Sequence, residues 1–131
     1  MPTHERWISK FQIKEYSWVF VPSEETLNIG LTVKESIEDV WTPPDFFYHL
    51  HRGGHLAALN SHINKKYFLH LDIKDFFGNI NRSRITRCLK GYFGYDKARE
   101  IAIESTVRLP ESETIKYILL TGAQISDHRK L

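Results

Sequence analysis

Apolar and polar residues alternate most cleanly over residues 67–73. Tyr67, Leu69, Leu71 and Ile73 fall on one side of an extended chain, and Phe68, His70 and Asp72 on the other. A period of two predicts a strand, here one that ends on an acid. A carboxylate closing a buried strand is costly unless it meets a cation, a hydrogen-bond donor or water. Asp75 supplies a second acid where the chain turns, followed by Phe76 and Phe77. Two acids beside a strand end could hold a hard divalent cation through oxygen.

Elsewhere the period is nearer 3.6. Leu56, Leu59 and Ile63 form a helical stripe within residues 55–66. Ile85, Cys88, Leu89 and Tyr92 form another, in a helix capped by Asn81 or Ser83 whose other side carries Arg82, Arg84, Arg87 and Lys90. After Gly91 and Gly94, a helix from Asp96 to about Val107 places Ala98, Ile101, Ala102 and Ser105 on one face. Trp7, Ile8 and Phe11 have the spacing of a short helix with Thr3 as its cap. Residues 17–21 and 27–33 are rich in β-formers and predict a hairpin, and residues 114–120 predict a last strand. Pro43-Pro44 marks a break, and Gly53-Gly54 a turn.

Composition narrows the class without naming a function. The chain has 131 residues, 41% of them apolar and 13% aromatic, as expected of a folded globular domain. Eighteen basic residues against 16 acids give a net charge of +2, so any nucleic-acid-binding surface must be local. The single cysteine, Cys88, excludes an internal disulfide and suits a reducing cytoplasm, with the thiol expected in the core. No stretch approaches the roughly 20 apolar residues of a membrane span, so the expectation is a cytoplasmic protein without a membrane partner.

The stretch Asp72-Ile73-Lys74-Asp75-Phe76-Phe77-Gly78-Asn79-Ile80, preceded by an apolar strand, resembles the first palm motif of bacterial reverse transcriptases of the retron-like and group II intron-like kinds. The resemblance implies that Asp72 is the catalytic aspartate that binds magnesium. It places Phe77 under the incoming sugar, where it disfavours a ribose hydroxyl, and Asp75 and Phe76 along the incoming triphosphate. Gly78-Asn79 stands where the family commonly has Pro-Ser. Residues 119–127, Leu-Leu-Thr-Gly-Ala-Gln-Ile-Ser-Asp, resemble the second palm motif in a leucine, Gly122, an alanine and Ser126, and depart from it at Leu120, Thr121, Gln124 and Asp127. Gly122 would let backbone approach the nucleotide. Arg52-Gly53-Gly54 resembles a basic-Gly segment that precedes the first motif in retron-like enzymes, which makes Arg52 a candidate contact to template or triphosphate; an exposed arginine in a turn is the equal alternative.

The fold expected from the resemblance is α+β. Residues 1–45 would form a fingers-like segment. Residues 46–131 would form an incomplete polymerase palm, an antiparallel sheet with helices on one face, carrying the first motif at 67–80 and a degenerate second at 119–127. The implied function is RNA-directed DNA polymerisation by two-metal nucleotidyl transfer, with an RNA template, a DNA primer and deoxynucleoside triphosphates as partners. Two-metal chemistry needs carboxylates on both sides of the ion pair. The family supplies the others from a Tyr-x-Asp-Asp hairpin, which occurs nowhere in this sequence. The chain is therefore expected to be truncated and inactive alone, with magnesium bound only when a separate chain completes the palm and thumb.

Two other classes stay open: a non-catalytic nucleic-acid-binding module, and a degenerate remnant of a mobile element or prophage. His49, His51 and His55 invite a metal reading, but their pattern lacks the second half of a zinc site. No Gly-x-Ser-x-Gly elbow or Gly-rich phosphate loop is present.

Overall fold

A computed structural model describes residues 5–14, 17–109 and 117–119. The protein is α+β, with four helices and two antiparallel two-stranded sheets among the described residues.

The first sheet pairs β1 (Trp7–Lys14) with β2 (Ser17–Pro22). The helix expected from Trp7, Ile8 and Phe11 is thus corrected to a strand. The same stretch also alternates, with Trp7, Phe11 and Ile13 at odd positions, and pairing with the β-branched run of β2 decides between the two periods. Trp7 packs edge-on against Phe20, with ring centroids 5.4 Å apart.

Helix α1 (Glu24–Val40) replaces the strand expected at residues 27–33. Ser23 caps it by accepting from the Thr26 N–H at 3.2 Å, and Glu24 and Glu25 sit in the first turn, where the helix dipole favours acids. The carbonyl of Arg6 ties β1 to this helix start. It accepts from the Ser23 N–H and the Thr26 hydroxyl, each at 2.9 Å. The helix ends at Val40, just before the Pro43-Pro44 break.

A 3-10 turn (Tyr48–Leu50) and α2 (Gly54–Asn60) follow, separated by the expected glycine turn, in which Gly53 and Gly54 both have positive φ. α2 is shorter than the helix expected over 55–66, and its stripe stays outside, with Leu56, Leu59 and Ile63 all exposed.

Helix α3 (Arg82–Phe93) and α4 (Tyr95–Ser105) meet at Gly94, whose φ of 79° lets one residue end the first helix and begin the second. Asn81 caps α3, accepting from the Arg84 N–H at 2.9 Å. Its half-buried line is Arg82, Ile85, Thr86, Leu89 and Phe93. Cys88 and Tyr92 lie outside it, so the thiol expected in the core is exposed.

The second sheet pairs β3 (Thr106–Arg108) with β4 (Tyr117–Leu119). The core sits where this sheet meets α4: Ala98, Ile101, Ala102, Val107 and Ile118 are the buried apolar residues. The α4 face expected from the sequence is therefore correct, although the chain leaves the helix at Ser105 and begins β3 at Thr106. Thr106 is fully buried; its hydroxyl donates to the Ala102 carbonyl at 2.7 Å, satisfying one of the last carbonyls of α4.

Arg6 links the N-terminal hairpin to this core. Its Nη2 donates to the carbonyls of Glu104 (2.9 Å) and Thr106 (3.2 Å). Burial holds its pKa below the ordinary guanidinium range, against the opposing pull of Glu104. No helix among the described residues is long and apolar enough to cross a membrane.

Candidate functional site

The strand expected over residues 67–73 does not form. The segment has no regular secondary structure, and Tyr67, Leu69, Leu71 and Ile73 are 65–92% exposed. Alternation prepares a stretch for pairing but supplies no partner, and an isolated strand leaves its backbone groups to water. None of the described strands lies against it. Phe68 makes a ring contact with His62, 6.0 Å between centroids.

Asp72 is consequently exposed, not the buried strand end that its sequence context suggested. A solvated carboxylate carries no desolvation cost, so burial no longer calls for a cation beside it. Among the described residues no group of three or more His, Cys, Asp or Glu side chains is arranged to hold a metal. His51 instead bonds the Pro44 carbonyl at 2.9 Å, and the His49 ring packs on Phe47. Arg52 is exposed in the turn before α2.

The chain after Asp72 is better defined. Asp75 adopts φ 48°, the one positive φ among described residues other than glycine. That left-handed step carries the chain into a 3-10 turn at Phe77–Asn79. Asn79 clamps the turn: its N–H donates to the Asp75 carbonyl at 3.1 Å, and its side-chain amide donates to the Asp75 and Lys74 carbonyls at 2.8 and 3.2 Å. The Asp75 carboxylate folds over Gly78, into space that a Cβ at residue 78 would need. Glycine here therefore fits the position taken by the Asp75 side chain. Phe76 and Phe77 pack edge to face at 5.2 Å, with Phe76 exposed and Phe77 half-buried.

The turn ends against β4. The Leu119 N–H donates to the Ile80 carbonyl at 3.0 Å, and Asn81 forms an antiparallel bridge with Ile118. β4 thus lies between β3 and residues 80–81. The last residue of the 67–80 stretch touches the first residue of the 119–127 stretch across 39 positions of sequence. Gly122 and the rest of residues 120–127 lie outside the described residues.

Beside this junction opens a cleft of about 420 Å³, lined by Asn79, Arg82, Ser83, Arg84, Tyr117 and Ile118 among others. Arg82 is fixed at its edge. Its Nε donates to the Thr106 hydroxyl at 2.9 Å, and its guanidinium lies 3.8 Å from the centre of the Tyr117 ring. The basic residues of α3 were visible in the sequence, but this anchoring of Arg82 was not, because it depends on Thr106 and Tyr117, 24 and 35 residues away.

No family model, no curated protein and no solved structure matches the chain.

Proposed function

We propose that the chain is the fingers and partial palm of a reverse-transcriptase-like polymerase, competent only when other carboxylates complete its metal site. The observation that carries the proposal is the contact between Ile80 and Leu119, which brings the end of the Asp72–Ile80 motif against the start of the segment resembling the second palm motif. The facing end residues of two resemblances far apart in sequence thereby become neighbours.

In this reading Asp72 supplies one carboxylate to the magnesium pair, and its exposure leaves it open to metal and substrate. The turn after it presents amides toward the triphosphate, since the first N–H groups of a helical turn lack partners inside it. Phe77, held by Phe76, packs beneath the sugar. Arg52 and Gly122 approach template or nucleotide from the flanking segments. RNA template, DNA primer and deoxynucleoside triphosphates are the partners, and a Tyr-x-Asp-Asp hairpin from elsewhere supplies the remaining acids. The exposed residues 67–73 are then a strand awaiting the rest of its sheet.

Paramagnetic broadening by Mn2+ in an amide-resolved spectrum of this chain, recorded in the presence of a palm-and-thumb half that carries Tyr-x-Asp-Asp, tests the metal role. Broadening centred on residues 72–75 and lost in Asp72→Asn is expected. Broadening elsewhere, or unchanged by the substitution, would remove Asp72 from the metal site.

A further inference from the structure

Helix α3 carries Arg82, Arg84, Arg87 and Lys90 and no acid. Two of these cations occupy its first turn, the end at which the helix dipole favours anions. By contrast α1 begins with Glu24 and Glu25, and α4 has Asp96 in its first turn. The sequence therefore gives up helix stability at the mouth of the cleft.

The charge around Arg82 is unbalanced as well. Burial is the main cause of its pKa lying below the ordinary guanidinium range; the Tyr117 hydroxyl works the other way, and Arg6 and Arg99 add like-charge repulsion. With Nε committed to Thr106 and the plane stacked on Tyr117, the two Nη groups make no hydrogen bond to a described residue. Asn79, which also lines the cleft, has the reverse character. Its amide hydrogens are engaged on Lys74 and Asp75, so Oδ1 is the atom left to accept. At about 420 Å³ the cleft falls within the size range of small-molecule sites and exceeds the needs of a bare oxyanion.

We propose that this cleft binds the phosphate of a nucleotide unit, with Arg82 and Arg84 as phosphate ligands and Asn79 Oδ1 accepting from its sugar or base. The unit belongs either to a strand or to a free nucleotide, and in the first case Arg87 and Lys90 extend the contact along α3. Asp72 is not among the residues that line the cleft, and the site needs no metal.

Fluorescence anisotropy of the full chain with a labelled 12-nucleotide single strand tests it. Wild-type protein is expected to bind with a log–log salt slope near −2 to −3, as about three or four phosphate contacts give. Arg84→Gln should weaken binding about tenfold and flatten the slope by about 0.7, the loss of one charged contact. Lys97→Gln, on the exposed side of α4 where Lys97 pairs with Glu100, should change affinity less than twofold. Displacement by millimolar nucleoside triphosphate identifies a free nucleotide as the ligand, and displacement by unlabelled strand alone identifies a strand. No binding, equal loss in Arg84→Gln and Lys97→Gln, or equal displacement by polyglutamate would overturn the proposal. Affinity should be the same with excess EDTA as with magnesium, which separates this site from the metal reading.

Discussion

Thr106→Val probes the joint between α4, β3 and α3 with almost no change of shape. The Thr106 hydroxyl donates to the Ala102 carbonyl at 2.7 Å and accepts from Arg82 Nε at 2.9 Å, in a position with no solvent exposure. Removing it strands a buried helix-end carbonyl, which costs about 1–3 kcal/mol. It also removes a charge-assisted bond nominally worth about 1.5–3 kcal/mol, discounted here because Arg82 is only half-buried and water can replace the acceptor. The added methyl returns up to about 0.8 kcal/mol. The net expectation is a loss of about 2–3 kcal/mol in urea unfolding, near 10 °C in Tm at roughly 4 °C per kcal/mol for a chain of this length. Thr106→Ser keeps the hydroxyl and loses only a buried methyl, about 1 kcal/mol. Serine should therefore be the milder substitution although valine is the closer shape. A valine variant as stable as the serine variant would refute the hydrogen-bonding role of Thr106.

Asn81→Ala removes the cap of α3 and should cost about 1 kcal/mol in the same assay; no change would mean that the Arg84 N–H is satisfied by water equally well. Cys88 should react stoichiometrically with a thiol reagent in the native protein within minutes, and protection until unfolding would return it to the core. Chymotrypsin should cut first within residues 67–73, where Tyr67, Phe68 and Leu69 are exposed in a segment without regular structure; first cleavage within the equally aromatic β1–β2 hairpin would contradict that order.

The sequence was most readable where local signals agreed. Asn81 followed by a 3.6-residue stripe yielded α3, and Ala98, Ile101 and Ala102 identified the face of α4 that forms the core. It misled where two periods competed. Residues 7–13 fit a helix and a strand alike, and only pairing with β2 settles the matter. In α1, the β-branched residues of 27–33 outweighed a better signal just upstream: Ser23 followed by Glu24 and Glu25, a capped helix start. Cys88 fell on the wrong side because the half-buried line runs through Arg82, Thr86, Leu89 and Phe93, one residue's rotation from the stripe read in the sequence.

The candidate site was legible in part. Residues 72–80 stood out by residue type, and their turn has a defined geometry in Asp75 and Asn79. The cleft was not legible, because its wall joins α3 to β4 through contacts between distant residues. Residues 67–73 show the limit of periodicity most plainly: alternation records that a stretch is suited to a sheet, not that the sheet is there.

The most direct measurement is primer extension on an RNA template, with this chain mixed with the palm-and-thumb half of a retron-type enzyme that carries Tyr-x-Asp-Asp and is active when paired with its own first half. The chain alone should extend nothing. The mixture should extend the primer in a magnesium-dependent reaction that Asp72→Asn abolishes and Asp45→Asn, at an exposed acid outside the motif, leaves intact. A mixture that stays inactive, or that extends equally well with Asp72→Asn, would contradict the polymerase reading.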